Sequence, residues 1–222
     1  MYVCWSSKGG SGTTVVSASL ALLLARSGPT VLVDLVGDAP AALGCPEPSG
    51  PGIVDWLHSA HADVAALTRL TVEVIDDLAL LPCGSSADRP VDRWHDLGDA
   101  LRALDASVVV DAGSRAPTPG LVGTDDHSLL VTEACYLSLR RAVTATTRPT
   151  GVVLVHEHGR ALGVADVERA LGVPVVAHVP YDPMVWRSVD AGLLASRVPN
   201  SLAHGLGRLT TLVRPGDGGD DA

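Results

Sequence analysis

The sequence predicts an α/β fold, a mostly parallel sheet with helices on both faces. Three observations predict it. Short β-rich runs alternate with helical ones along the whole chain, the pattern of a parallel sheet covered on both sides. A glycine-rich stretch, Ser6-Ser7-Lys8-Gly9-Gly10-Ser11-Gly12-Thr13-Thr14, lies between the short apolar run 2–5 and the longer one 15–25, and reads as strand, loop, helix. Carboxylates close two of the apolar runs, Asp34 and Asp111, and ligands of such sheets bind at the carboxyl ends of strands.

Taken in order, 30–34 is a second strand, and the glycines and prolines of 37–52 read as a long, mobile loop. Residues 53–60 and 63–70 are helical, and 72–75 with 78–81 form either a strand pair or one interrupted strand. An amphipathic helix covers 91–104. Residues 107–111 are unbroken in apolar character up to the aspartate, which predicts a central, parallel strand. Further strands fall at 127–132, 151–156 and 174–179, with helices at 138–146 and 163–171 between them and at 184–194 and 201–212 after them. Residues 1–213 read as one domain; the Gly- and Asp-rich tail 214–222 reads as disordered.

At 222 residues and 46% hydrophobic the chain can bury one sizeable core. It has no Phe, so Val, Leu and Ala do the packing. A net charge of −9 argues against non-specific nucleic-acid binding, which needs clustered Lys and Arg. No apolar run approaches the ~20 residues of a membrane helix. Cys4, Cys45, Cys83 and Cys135 are far apart with no C-x-x-C pair, as expected of reduced cytosolic thiols, several of them buried. One positive charge, an apolar run and small residues also describe a signal peptide. Against that, strand-like sequence precedes Lys8 and no small-x-small cleavage site ends the run.

Glycines let a backbone curl and approach a ligand closely. The N–H groups of such a loop, and of the helix behind it, converge on one spot and favour an anion. Thr14 falls in the first helical turn, where a P-loop hydroxyl binds magnesium. Of the pattern G-x-x-x-x-G-K-[ST], Gly12 and Thr14 fit, while Ser7 replaces the first glycine and Thr13 the lysine. A lysine stands earlier, as Lys8.

The arrangement Lys-Gly-Gly-x-Gly-x-Thr resembles the deviant phosphate loop of the ParA/MinD family of P-loop ATPases, and Thr13-Thr14 is most similar to its CpaE/TadZ branch. The likeness extends through Leu32-Val33-Asp34-Leu35 with Gly37-Asp38, Leu43-Gly44, Gly52-Ile53-Val54-Asp55-Trp56-Leu57, Leu137-Ser138-Leu139-Arg140-Arg141-Ala142 and Val179-Pro180-Tyr181-Asp182-Pro183. The resemblance implies a P-loop NTPase fold with ATP and Mg²⁺ as cofactors. It places Lys8, Gly9, Gly10, Ser11, Gly12, Thr13, Thr14, His156, Pro180, Tyr181 and Asp182 on the nucleotide and Thr14, Asp34 and Asp111 on the metal. Asp111 resembles the Walker B aspartate. Lys8 takes the place of the lysine that reaches across a dimer to the partner's nucleotide, where a trans cation contributes on the order of 10³–10⁵ in rate. Its plain alternative is a solvated loop charge.

Three departures bear on mechanism. Thr13 replaces the phosphate-binding lysine, and a lost charge-assisted hydrogen bond costs about 1.5–3 kcal/mol, or about tenfold to a hundredfold in affinity. Val36 stands where the family's second Asp-x-Asp carboxylate orients water; Asp38 is nearby, but a shortened loop has to deliver it. His156 stands where an asparagine usually reads adenine. Parts for holding a phosphate chain therefore survive better than parts for cleaving it.

Other residues carry weaker signals. His156-Glu157-His158 offers two imidazoles, but a closed zinc site needs four ligands. His58 and His61 read as a solvated helix face. Trp56, Trp94 and Trp186 read as core or interface aromatics, with Trp56 a candidate dimer contact. Arg140, Arg141 and Arg148 form a small basic cluster suited to an acidic partner.

The expected function is an ATP-binding, weakly or non-hydrolysing spatial organiser. It would be a cytoplasmic homodimer favoured by ATP, recruited to a cell pole. By resemblance it positions a pilus or secretion assembly, with no direct nucleic-acid contact and no membrane insertion. The alternatives are an active ParA/MinD-type ATPase of partition or septum positioning, and a nucleotide-free scaffold. The first is opposed by Thr13, by Val36 and by the lack of a basic amphipathic helix at 212–216.

Overall fold

The computed structural model describes residues 1–59, 63–84 and 92–211. Eight strands form one sheet: β1 (Tyr2–Trp5), β2 (Thr30–Asp34), β3 (Val72–Ile75), β4 (Leu78–Leu81), β5 (Ser107–Asp111), β6 (His127–Glu133), β7 (Gly151–His156) and β8 (Val175–Pro180). Their order is β3-β4-β2-β5-β1-β6-β7-β8. Every pairing is parallel except that of β3 with β4.

The expectation for 107–111 holds. β5 lies between β2 and β1, and Val108 to Asp111 are buried, as central parallel strands are on both faces. Alternate residues serve opposite sides of the sheet. Tyr2, Cys4, Leu32, Val109 and Leu129 pack under α1 (Thr13–Leu24) and the later helices α8 (Pro183–Asp190) and α9 (Asn200–Leu206). Val3, Trp5, Val33, Val110 and Leu130 pack under α3 (Ile53–His58), α4 (Val64–Thr68) and α5 (Trp94–Arg102). α6 (Tyr136–Val143) and α7 (Val164–Leu171) cover β6 and β7 around a smaller cluster with Leu139, Val152, Leu154 and Val167. α1 is apolar nearly all round and almost wholly buried, as a helix covering the middle of a sheet must be.

Several expectations change. The 37–52 stretch is not one long loop: Ala39–Leu43 form a short helix, α2, with Pro40 in its first turn and Gly44 closing it at φ 76, a left-handed cap that glycine adopts without strain. The 72–81 segment is an antiparallel hairpin, turning through Asp77 at φ 62. The last long helix ends at Leu206, and Leu209–Thr211 follow as a 3₁₀ turn. Only Cys4 of the four cysteines is fully buried. Trp56 is a core residue, buried under α3 with the Arg93 guanidinium 4.6 Å over its ring, so it is no dimer contact. His58 bonds Val54 O through Nδ1. His61 and the tail 214–222 lie outside the described residues.

The register places the site. Cys4 and Asp34 both lie opposite Asp111, so the carboxyl ends of β1, β2 and β5 are side by side. The loops leaving these three central strands gather at one rim.

Candidate functional site

The loop from β1 to α1 is tied down before it turns. Ser6 donates through both its backbone N–H and its hydroxyl to Gly113 O, at 2.8 and 3.1 Å. The Ser7 hydroxyl donates to Ser138 O, and that of Ser11 to Lys8 O. Gly10 and Gly12 take left-handed backbone at φ 77 and 81, a region that side chains disfavour. Gly12 caps α1 with no side-chain hydrogen bond, and no acidic residue occupies the first turn. The leading N–H groups of the helix thus stay available for an anion. A Cβ built on Gly12 meets nothing within 4 Å; in this structure the need for glycine comes from backbone conformation, not from crowding.

The two strand-end aspartates have no exposed surface but do different things. Asp34 Oδ1 accepts the N–H groups of Val36 and Gly37, and Oδ2 that of Ala39, at 2.8–3.0 Å. Asp34 therefore organises the turn into α2, with both oxygens engaged, rather than presenting a free oxygen to a metal. Asp111 Oδ1 accepts Gly113 N at 3.0 Å, but Oδ2 is buried without a hydrogen-bond partner. Burial raises its pKa to about 6; the facing Thr14 hydroxyl and the Gly113 amide oppose the rise, while the charges of Asp34 and Asp38 add to it. An orphaned buried carboxylate oxygen beside a threonine hydroxyl suits a hard divalent cation.

The loop opens onto a cavity of about 320 Å³. Ser6 and Gly9 to Val15 line it, together with Val36, Asp38, Gly113, Ser114 and Trp186. Val36 packs against the second loop, so that a Cβ on Gly113 would meet its Cγ1 at 2.5 Å. An apolar side chain thus stands where a water-orienting carboxylate is expected. Asp38, however, does reach the wall, and its side chain is not used to cap α2. Among the described residues no lysine or arginine is in this wall. Lys8 points elsewhere: its Nζ lies 3.2 Å from Glu133 Oε2, with both side chains mostly covered. It is neither a solvated charge nor a contact of its own cavity.

Pro180, Tyr181 and Asp182 line a second, apolar cavity beside Gly12, with Val155 and Trp186. At about 40 Å³ it holds about one water, and the exposed Tyr181 and Trp186 rings, 6.4 Å apart, stand in its wall. Asp182 caps α8, accepting from Met184 N and the Ser201 hydroxyl, which makes its part structural. His156 is outside this wall. It tilts against His178 at 5.2 Å, and its buried Nδ1 has no partner. No cluster of three metal-ligating side chains forms among the described residues, so the triplet 156–158 makes no such site. Arg140 and Arg141 are exposed on α6, whereas Arg148 donates to Gly172 O. Sequence reasoning missed Glu133 as the partner of Lys8, and Trp186 as a wall of both cavities.

Asp111 yields a pH-dependent expectation. Its folded pKa lies above its unfolded value, so folding favours the protonated form. The associated cost is absent below pH ~4 and grows as pH rises through about 6. A shift of this size corresponds to about 2–3 kcal/mol. Asp111→Asn is expected to raise unfolding free energy by about 1–3 kcal/mol at pH 7.5, with the gain shrinking through pH 6 and gone near pH 4. Urea titrations of both proteins across that range check it; a gain independent of pH would show that the carboxylate charge is not its source.

No protein-family model matches the chain. An ATP-binding protein of Methanocaldococcus jannaschii is 27% identical, the match covering 84% of this chain and 76% of that protein. A ParA family ATPase from Chlorobium tepidum superposes with a TM-score of 0.77 at 17% identity, over 95% of this chain and 97% of the other. MinD from Pyrococcus horikoshii, complexed with Mg-ADP, superposes at 0.70 and 18% identity, over 94% and 93%. The eight-stranded sheet and its helices are the P-loop NTPase fold of ParA and MinD.

Proposed function

We propose that the chain binds ATP with magnesium at the 6–14 loop and uses it to control dimerisation, as a spatial organiser that hydrolyses ATP slowly or not at all. One observation carries the reading: the uncapped N-terminus of α1 opens onto a cavity at the rim of the central strands, and the orphaned Asp111 oxygen is buried behind two residues of its wall, Thr14 and Gly113. The Mg-ADP in the Pyrococcus protein and the ATP-binding description of the Methanocaldococcus protein support it. The loop N–H groups bind the phosphate chain, Thr14 and Asp111 hold the ion, and Tyr181 and Trp186 part to receive the base. Magnesium, when bound, neutralises phosphate charge. Val36 keeps water from the position a carboxylate would have ordered, leaving Asp38 as the acid in the cavity wall.

Lys8 is to exchange Glu133 for a phosphate on a facing subunit. By resemblance to the CpaE/TadZ branch, the dimer positions a pilus or secretion assembly at a cell pole. Among the described residues no helix is long and apolar enough to cross a membrane. The position of Asp38 favours a second reading, an ATPase of partition or septum positioning with measurable turnover. Asp38→Asn separates the two. It abolishes any steady phosphate release if Asp38 orders water, and leaves a non-hydrolysing parent unchanged.

Calorimetry with Mg-ATP tests the site. The parent is expected to bind weakly, and Gly12→Val, which forces a β-branched residue to φ 81 at the helix cap, to lose binding altogether; equal affinities would place the site elsewhere. Sedimentation velocity tests the switch. Lys8→Ala is expected to keep the fold and weaken ATP-dependent dimerisation by about tenfold or more, the scale of one charge-assisted contact. Glu133→Gln, which releases Lys8, is expected to strengthen it. A parent that stays monomeric at every ATP concentration would remove the dimer.

A further inference from the structure

We infer that Arg115 supplies, from the loop after β5, the phosphate-binding charge that Thr13 does not supply from α1. The inference rests on the nucleotide reading above and names a residue of that same site. Among the described residues the phosphate cavity has no cation in its wall, and it carries the carboxylate of Asp38. Asp34 and Asp111 lie beneath the same rim, so a polyphosphate entering it meets an acidic surround. Lys8, the one cation of the loop, is held by Glu133 at 3.2 Å.

Arg115 is differently placed. It lies four residues beyond Asp111, and Ser114, its neighbour, is itself in the phosphate-cavity wall. Arg115 lines an adjoining cavity of about 470 Å³ that shares Val36 and Ser114 with the first. Among the described residues no Asp or Glu lines that second cavity. The Arg115 side chain is exposed and forms no ion pair or hydrogen bond within the described residues. The root of its loop is fixed: Gly113 N donates to Asp111 Oδ1, and Gly113 O accepts from Ser6. A short, anchored lever thus carries a free guanidinium beside the loop that would hold the phosphates. Arg102 is already paired with Asp99 and Asp126, and Arg140 and Arg141 are on the exposed side of α6. Guanidinium suits the role because it stays charged and can bind two phosphate oxygens at once. Its approach from the Asp111 side assigns it to the terminal phosphate, the one that distinguishes ATP from ADP.

Calorimetry of the full chain with Mg-ATP and Mg-ADP tests this. Arg115→Gln is expected to weaken ATP about tenfold to a hundredfold and ADP by much less, with an unchanged melting temperature, since the side chain has no partner to lose. Arg115→Lys should fall between Arg115→Gln and the parent. Thr13→Lys should recover ATP affinity in the Arg115→Gln background by a larger factor than it adds to the parent. Unchanged ATP affinity in Arg115→Gln overturns the inference, as does an equal loss of ATP and ADP, or a Thr13→Lys gain that is the same in both backgrounds. A parent that binds neither nucleotide overturns the nucleotide reading itself, and this inference with it.

Discussion

A buried carboxylate without a full set of partners is the constraint around which this rim is built. β2 and β5 end in register on Asp34 and Asp111, both with no exposed surface. Such groups are costly unless they are hydrogen-bonded or neutralised. Asp34 meets the requirement with three backbone N–H groups and thereby fixes the turn into α2. Asp111 has one such bond and an orphaned oxygen, so it remains poised between a proton and a cation. The Ser6–Gly113 ties then hold the loops after β1 and β5 around it. The incomplete partner set weakens the fold locally and prepares a binding site, and those are two aspects of one feature.

The parts legible in sequence were those written in local pattern. Alternating apolar runs located the strands, and the run ending in Asp111 disclosed the centre of the sheet because both faces there are buried. The loop was legible because glycine spacing reports backbone conformation directly. What escaped was of two kinds. α2 is only Ala39–Leu43, too short for helical periodicity to stand out from the surrounding prolines and glycines. The rest were long-range pairings. Lys8 with Glu133 joins the first loop to the end of β6, and His156 with His178 crosses from β7 to β8; neither pairing leaves any trace in spacing along the chain.

Asp34 shows how a correctly located residue can carry a different role. Its place at the rim follows from the strand pattern. Its occupation by three amides depends on how tightly 35–39 turns, and that turn became visible only with α2. Asp38 is the converse. Its distance along the chain from the strand end counted against it, yet the same tight turn brings it into the cavity wall. One local structure thus withdraws one carboxylate from the site and delivers another.

On the proposed nucleotide reading, the charges of the site are displaced rather than absent. The lysine expected at 13 is a buried threonine, and Arg115, on the neighbouring loop, lines the adjoining cavity. The carboxylate expected at 36 is a valine packed on Gly113, and the acid that lines the cavity is Asp38, two residues further on. In both cases the replacement sits at the end of a turn rather than on α1 or directly after β2. Catalysis of phosphoryl transfer depends on positioning to a fraction of an ångström, whereas electrostatic attraction for a phosphate chain tolerates a displaced charge. Moving charges outward in this way preserves attraction more readily than alignment. That is the physical ground for expecting a nucleotide-dependent switch whose bound state persists rather than turning over.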